Sequence, residues 1–295
     1  MEQPLVSVVT VTRNRGCFLK RCISSVLSQT YSNIEHIVID GASDDNTNEV
    51  VAEFTDPRLI FERLDYNWPL PETFKRAVSK CSGKYITFLD SDDEYVPTKI
   101  EKQVALIESL SEDYGFVYCW MSYYDSSKDN ELIKIHNPQL RGFVGDDVVK
   151  EPTVSGSPTL MFRIDFYRDS VMGKPTREES PIASDWAMCA RACQLTKVDF
   201  VPESLVNVYV NHGGVRQSEA KKYYDDASKK LIKFHTYFLT AYADIFKRKP
   251  WLAVNHYYSI AINYFHLKQY GKFIEYVIKA FRSDYKYMLK KLFKR

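Results

Sequence analysis

Residues 85–89 are apolar and β-prone, and three carboxylates follow them at once, on Asp90, Asp92 and Asp93. A buried strand with this sequence delivers the carboxylates to its carboxyl end, which is the edge where open α/β sheets bind ligands. Carboxylates this close repel one another unless a cation neutralises them, and their hard oxygens suit Mn²⁺ or Mg²⁺. A solvated acidic turn is the alternative interpretation, because Asp and Ser91 are common turn residues.

The elements that must position this cluster alternate between strand and helix. Residues 5–12 are a nearly continuous β-branched run, typical of a strand buried on both faces. An amphipathic helix follows, with Asn14 as its candidate cap, and further strands are predicted over 34–39 and 59–64. A short helix over 74–80 precedes the strand that ends in the aspartates. This alternation predicts right-handed βαβ units and a mostly parallel sheet, as in a nucleotide-binding half-domain.

The rest of the chain reads differently, and helical patterns dominate its last part. The predicted elements are a helix over 99–110, a strand over 115–123, loops over 138–158, a short strand over 159–163, a helix over 184–195, a strand over 198–210 and C-terminal helices with a break at Tyr270-Gly271. We therefore predict one domain over 1–217, with halves 1–95 and 96–217, and a basic helical region over 218–295.

The net charge of +2 hides an asymmetry along the chain. Residues 218–295 contain 17 Lys and Arg against 6 Asp and Glu, whereas residues 1–217 contain 23 against 32. An acidic body with a basic tail suggests that the body holds a cation and that the tail meets an anionic surface. Basic residues do not interleave with aromatic residues on any predicted strand face, which argues against nucleic-acid binding.

Composition and short motifs also indicate the cellular compartment and disfavour some classes of enzyme. The six cysteines form no Cys-x-x-Cys pair, as expected for a reduced, cytoplasmic protein without structural zinc. No apolar run approaches the ~18 residues of a spanning helix, and the chain enters a strand-like segment directly after Glu2, so no signal peptide is expected. No dinucleotide-binding or P-loop glycine motif is present, which disfavours those classes.

Four motifs occur in order along the chain. They are VSVVTVTRNR at 6–15, SSVLSQTY at 24–31, DGASDDNT at 40–47 and FLDSDD at 88–93. In these motifs the chain resembles glycosyltransferase family 2 over roughly residues 5–215. The resemblance implies the GT-A fold, a Rossmann-like, mostly parallel mixed sheet flanked by helices, here with a C-terminal helical extension. Residues 1–95 would then bind the nucleotide and residues 96–217 the acceptor.

The resemblance implies a nucleotide site at the ends of the first strands. Asp40 would accept a hydrogen bond from the base N3–H. The base pocket would be lined by Val11, Thr12 and Arg13. Many relatives have an aromatic residue where this chain has Arg13, and a planar guanidinium could stack on the base instead. Lys75 and Arg76 would bind the diphosphate, or would simply lie on a solvated helix face.

The resemblance also assigns roles to the aspartate cluster. Asp90, with Ser91, would bind the ribose or a metal-bound water. Asp92, together with Asp90, would ligate a Mn²⁺ or Mg²⁺ ion that bridges the two phosphates. His212 follows the last strand, where several relatives have a histidine that contacts the metal or the diphosphate. Asp93 is expected to cap the following helix.

A third role implied by the resemblance is that of a catalytic base, since inverting transfer needs a carboxylate to take the acceptor's proton. Asp185 is the candidate, in the first turn of a helix that Ser184 caps, where the helix dipole favours its charged form. A helix-start acid without a catalytic role is the alternative. The lower-ranked rivals are Glu178, Glu179 and Asp169. Trp186 would pack under the acceptor sugar or belong to the core.

The activity implied is the transfer of a hexosyl or N-acetylhexosaminyl group from a UDP-sugar. A single group is expected in each transfer, because the Gln-x-x-Arg-Trp motif of processive members is absent. The acceptor would be a glycan or lipid-linked glycan of a bacterial surface polysaccharide. A sugar-nucleotide nucleotidyltransferase and a non-catalytic sugar-nucleotide-binding protein are the alternatives.

The end of the chain predicts a basic amphipathic helix. Its apolar face would consist of Phe281, Tyr285, Met288, Leu289 and Leu292. Such a helix can lie on anionic lipid, here the inner face of the cell membrane. Packing on its own domain or on a second subunit of a homodimer is the alternative.

Overall fold

The computed structural model describes residues 3–154, 156–172, 185–211 and 220–293. These residues divide into two compact units. The first contains residues 3–143, 154, 156–172 and 195–211, and the second contains 144–153, 185–194 and 220–293. Two segments that the sequence assigned to the first domain, 144–153 and 185–194, therefore belong with the C-terminal helices.

The first unit is built on a nine-stranded sheet. Its strands are β1 (Val6–Thr12), β2 (Ile34–Asp40), β3 (Leu59–Arg63), β4 (Tyr85–Phe88), β5 (Glu94–Tyr95), β6 (Tyr114–Asp125), β7 (Glu131–His136), β8 (Met161–Arg163) and β9 (Lys197–Val210). They are ordered β3-β2-β1-β4-β8-β6-β9-β5, with β7 paired to β6. Strands β1 to β4 are mutually parallel, as are β6 and β9, whereas β8 and β5 run antiparallel to their neighbours. The predicted α/β class is confirmed, with a sheet that is more mixed than expected.

The helices lie between and after these strands. They are α1 (Gly16–Leu27), α2 (Thr47–Ala52), α3 (Leu70–Ser79), α4 (Lys99–Ser109), α5 (Gly145–Lys150), α6 (Ile164–Phe166), α7 (Asp185–Leu195), α8 (Ala220–Ala241), α9 (Ala243–Arg248), α10 (Val254–His266), α11 (Tyr270–Ser283) and α12 (Tyr285–Phe293). Helix α5 lies in a stretch predicted to be loop. The predicted break between the C-terminal helices is present, but it lies at residues 267–269, directly before α11 begins at Tyr270.

The start of α1 also differs from the prediction. Asn14 has a positive φ of 52° and its side chain accepts a hydrogen bond from the Asp44 N–H at 2.8 Å. The Asp45 carboxylate instead accepts the N–H of Gly16, the first residue of the helix, at 2.9 Å. The loop after β2 therefore supplies the cap, and this contact ties the end of β2 to the helix that follows β1.

The second unit contains α5 and α7 to α12 and has its own apolar core. Val254 from α10, Ala280 from α11 and Met288 from α12 pack together, with half-buried tyrosines and Phe281 around them. Across the described parts of both units, no helix combines the length and the apolar character needed to cross a membrane.

A buried lysine lies beneath the strand that leads to the aspartates. Lys99 is fully buried, and its ammonium donates a hydrogen bond to Thr87 Oγ1 at 2.8 Å. The ammonium also lies 4.0 Å from the centre of the Tyr95 ring. Burial lowers the pKa of Lys99 from 10.5 to about 7. The buried charge therefore costs stability at neutral pH.

Replacement of this lysine by an isosteric apolar residue tests that cost. The unfolded chain keeps the Lys99 proton up to a pKa of 10.5, whereas the folded protein releases it near 7, so stability should rise between these pH values. We expect Lys99→Met to flatten this slope and to raise the free energy of unfolding by about 2–4 kcal/mol at pH 7. Chemical denaturation from pH 6 to about 10 measures the free energy of unfolding and its slope with pH. Lys102→Met, on the same helix, is the control. An unchanged slope in Lys99→Met would contradict the assignment.

Candidate active site

The register of the parallel strands brings the predicted nucleotide residues to one edge of the sheet. Thr12 at the end of β1 pairs with Asp40 at the end of β2, and Asp40 pairs with Arg63 at the end of β3. Strand β4 lies on the other side of β1 and ends at Phe88, just before Asp90. Four strand ends therefore face the same side of the first unit.

Asp40 is fully buried and organises the turn after β2. Its carboxylate accepts the Ser43 N–H at 3.0 Å and the Ser43 hydroxyl, and the Arg63 Nε lies 3.9 Å away. A carboxylate has about four acceptor sites, so capacity remains for a ligand. The neighbouring Thr12 hydroxyl is buried and has no hydrogen-bond partner among the described residues. Val11 is half-buried and Arg13 is exposed.

The aspartate turn combines exposed, half-buried and buried carboxylates. Asp90 is exposed, Asp92 is half-buried and ion-pairs with Arg15, and Ser91 is buried. Asp93 is buried and accepts the Tyr209 N–H at 3.1 Å. Burial, with added repulsion from Asp90 and Asp92, raises the pKa of Asp93 to about 8. The carboxylates of Asp90 and Asp92 are therefore close enough to Asp93 to disfavour its charged form.

The expectation that Asp93 caps the next helix is wrong. Helix α4 begins only at Lys99, with Thr98 in the capping position. The two residues directly after Asp93 form β5, which pairs with β9. Asp93 therefore ties the aspartate turn to β9 through the Tyr209 N–H.

Two arginines of the segment that follows β1 supply positive charge to this turn, and the sequence analysis missed both. Arg15 pairs with the Asp92 carboxylate, and Arg21 donates to the Asp92 carbonyl oxygen at 2.6 Å. The Arg21 guanidinium also lies 3.6 Å from the centre of the Tyr209 ring. Because the two arginines are six positions apart, no helical periodicity links them, and the one sequence signal is their place directly after β1.

The basic pair on α3 lies on its exposed face. Arg76 Nε donates to both Glu62 carboxylate oxygens, at 3.0 and 3.1 Å, and Arg76 Nη2 lies 2.9 Å from Oε1. Lys80 reaches the same carboxylate at 2.7 Å. Lys75 is exposed beside it. Exposed ion pairs of this kind contribute little stability, so the arrangement favours the solvated-face alternative. A role of Lys75 or Arg76 in diphosphate binding stays a prediction.

Asp185 belongs to the second unit, where it is the first residue of α7 and half-buried. The next residue, Trp186, is a core residue: its indole N–H donates to the Val148 carbonyl oxygen at 2.5 Å, and its ring stacks on His256 at 5.2 Å between centroids. The alternative in which Trp186 packs under an acceptor sugar is therefore wrong. The start of α7 is instead anchored by this buried tryptophan.

A buried pair of histidines completes this anchor. His256 Nε2 lies 2.8 Å from the Val149 carbonyl oxygen, which can only accept, so Nε2 carries the proton and donates. Neutral His256 must then accept at Nδ1, and His235 Nδ1, 3.0 Å away, must donate. Burial, reinforced by His256, lowers the pKa of His235 to about 3, and burial lowers that of His256 to about 4.

The aspartate turn offers carboxylate oxygens as ligands for a metal ion. No three His, Cys, Asp or Glu side chains of the described residues are grouped closely enough to hold a metal ion. Asp90 and Asp92 offer two carboxylates, and the raised pKa of Asp93 shows the negative charge that a cation would relieve. The third candidate ligand, His212, lies outside the described residues, as do Glu178 and Glu179. The aspartates therefore fit a hard divalent cation in chemistry and charge.

Comparisons with known proteins agree on one family. The Glycosyl transferase family 2 profile matches residues 7–169. A UDP-Glc:α-D-GlcNAc-diphosphoundecaprenol β-1,3-glucosyltransferase of Escherichia coli, WfgD, is 34% identical over 133 residues, which are 45% of this chain and 51% of that protein. The chain spans about half the length of the curated relatives it matches.

Solved structures with low sequence identity share the fold. S. aureus TarS 1–349 in complex with UDP-GlcNAc superposes with a TM-score of 0.59 at 13% identity, covering 97% of this chain and 92% of that one. The mannosyltransferase PcManGT from Pyrobaculum calidifontis, in complex with GDP-Man and Mn²⁺, gives a TM-score of 0.56 at 12% identity, covering 91% and 75%.

The buried histidine pair predicts a loss of stability in acid. As the pH falls below 6.5 the unfolded chain gains protons that the folded pair takes up only near pH 3–4, so folding weakens across this window. We expect a loss of about 2 kcal/mol per histidine between pH 7 and 5. In His235→Gln an amide N–H replaces the donor without titrating, so the loss should be smaller than that of the wild type by about 2 kcal/mol. His266→Gln, which replaces an exposed histidine, is the control. Denaturant midpoints at pH 7 and 5 measure the loss of stability. An equal loss in His235→Gln and His266→Gln would contradict the role of the buried pair.

Proposed function

Because the chain belongs to glycosyltransferase family 2 and has the GT-A fold, we propose that it transfers a single sugar, with inversion, from a UDP-sugar to a glycan or lipid-linked glycan. The observation that carries this proposal is the aspartate turn at the carboxyl edge of β4, on the same edge as Thr12 and Asp40. In open α/β sheets this edge is the usual ligand site.

The nucleotide would bind at the ends of β1 and β2. The Asp40 carboxylate would accept the N3–H of uracil. The Thr12 hydroxyl, which no described residue contacts by a hydrogen bond, offers a second polar group beside it. Exposed Arg13 would stack on the base, with Val11 at the pocket wall. The solved structure of S. aureus TarS with UDP-GlcNAc supports a uridine donor, although the GDP-Man complex of PcManGT has the same fold.

The diphosphate would lie at the aspartate turn, with Asp90 and Ser91 on the ribose side. A Mn²⁺ or Mg²⁺ ion held by Asp90 and Asp92, with His212 as a further ligand, would neutralise the charge that develops on the departing diphosphate. To bind the metal ion, the Asp92 carboxylate must first release its ion pair with Arg15. Arg15 would then be available to the phosphate oxygens, a role that guanidinium geometry suits.

The chemical step would use Asp185 as the general base. Its carboxylate would take the proton of the acceptor hydroxyl while that oxygen bonds to the anomeric carbon of the donor sugar. The bond from that carbon to the diphosphate oxygen breaks at the same time, and the nucleoside diphosphate leaves with the electron pair. Attack from the opposite face inverts the anomeric configuration. Asp185 is the first residue of α7.

The acceptor is proposed from the relatives. The E. coli relative is named for transfer to GlcNAc-diphosphoundecaprenol, so a lipid-linked saccharide in surface polysaccharide synthesis is the acceptor class we propose here. An enzyme with this acceptor would work in the cytoplasm at the inner face of the membrane.

The donor and the cation can be identified together by thermal shift. We expect UDP-sugars with Mn²⁺ to raise the melting temperature by about 5 °C at saturation, because a ligand that binds only the folded state stabilises it. Asp92→Asn should lose the part of the shift that needs Mn²⁺, whereas Asp113→Asn, an exposed aspartate before β6, should keep it. A shift with GDP-sugars alone would contradict the uridine donor, and no shift with any nucleotide sugar would contradict the function.

The catalytic base is tested by transfer and binding measured on the same variant. Asp185→Asn should lower kcat by about 10²–10⁴-fold, the usual contribution of a general base, with donor affinity within about twofold of the wild type. Asp169→Asn, an exposed carboxylate in the first unit that rivals Asp185 in sequence, is the matched control and should retain transfer. Retained turnover in Asp185→Asn with loss in Asp169→Asn would reverse the assignment.

A further inference from the structure

Helix α11 exposes a row of large apolar side chains. Tyr270, Ile274 and Ile278 are 54%, 56% and 45% exposed, and their spacing of four places them along one side of the helix. Phe265, at the end of α10, is also exposed and lies 5.8 Å from the Tyr270 ring. We call Tyr270, Ile274 and Ile278 the apolar row.

The buried side of the same helix explains why the row is exposed. Ala280 is fully buried and packs on Val254 and Met288. Phe281 is half-buried against this core, so the apolar tail face predicted from the sequence is split. Tyr285 and Leu289 on α12 remain exposed while Met288 between them is buried. The exposed apolar residues are therefore additional to those that the core requires.

Basic residues are frequent in the stretch of chain that carries these exposed side chains. Residues 265–293 contain seven Lys and Arg against two acidic residues, a balance of +5. Both acids are engaged locally: Glu275 accepts from Lys279 at 2.6 Å, and Asp284 accepts the Tyr287 N–H at 2.9 Å. The exposed basic residues of this region are Lys268, Lys272, Arg282, Lys286, Lys290 and Lys291.

We infer that the apolar row, with the basic residues around it, docks the protein on an anionic lipid bilayer. Ile and Tyr side chains insert at the boundary of head groups and acyl chains, while Lys and Arg contact the anionic head groups. A second copy of the chain fits this surface less well, because a two-fold contact would bring together two copies of a stretch with a net charge of +5. The inference rests on the proposed function for its purpose, which is to hold the enzyme where a lipid-linked acceptor is found.

Vesicle binding by the full chain tests the inference. We expect cosedimentation with phosphatidylcholine vesicles that contain phosphatidylglycerol, little with phosphatidylcholine alone, and release by high salt. Ile274→Ser combined with Ile278→Ser should weaken binding at least tenfold. Lys286→Gln combined with Lys290→Gln should weaken it by about fivefold for each lysine. Leu132→Ser combined with Ile133→Ser, an equally exposed pair on β7, is the control and should bind as the wild type does.

Three outcomes would overturn the inference. They are equal binding to neutral and anionic vesicles, binding that neither α11 nor α12 variants weaken, and light scattering that shows a dimer dissociated by the isoleucine pair. Its failure can be told apart from failure of the proposed function. The docking variants should transfer sugar to a water-soluble acceptor at the wild-type rate, and Asp185→Asn should still bind anionic vesicles.

Discussion

Electrostatic repulsion within the aspartate turn is the constraint on which the site depends. Three carboxylates, of Asp90, Asp92 and Asp93, lie within four residues at the end of β4. The folded chain limits the cost by pairing Asp92 with Arg15 and by raising the pKa of Asp93 to about 8. Both devices leave the turn ready for a cation or for phosphate charge, because an ion pair can be exchanged and a neutral acid can ionise.

The elements around this turn hold it from two directions. Arg21 on α1 binds its backbone at the Asp92 carbonyl oxygen, and the Tyr209 N–H of β9 binds the Asp93 carboxylate. In the second unit the first turn of α7 is anchored in another way. Trp186 stacks on His256, whose ring is fixed by the Val149 carbonyl oxygen and by His235. Polar groups buried with complete partners specify one arrangement of the elements that carry them.

The strands of the first half were predictable because their signal is local. β1, β2 and β4 are buried on both faces, so each is rich in apolar and β-branched residues, and the ends at Thr12 and Asp40 follow directly. Membership of the two units was not predictable. Residues 144–153 and α7 join the C-terminal helices through contacts of His256 on α10, which lies against the Val149 carbonyl oxygen and stacks on Trp186. No periodicity within either segment predicts these contacts. The same holds for the antiparallel insertion of β8 between β4 and β6.

By itself the sequence determined that a strand leads to Asp90 and Asp92 and that four motifs follow the order found in glycosyltransferase family 2. Both signals are local, because each consists of residues that are neighbours in the chain. Only the tertiary structure decided which basic side chains contact the aspartate turn, namely those of Arg15 and Arg21. It also decided that Trp186 is a core residue and that Met288 is buried while the apolar row of α11 is exposed. Such assignments depend on which surfaces pack together, and packing joins residues far apart in the chain.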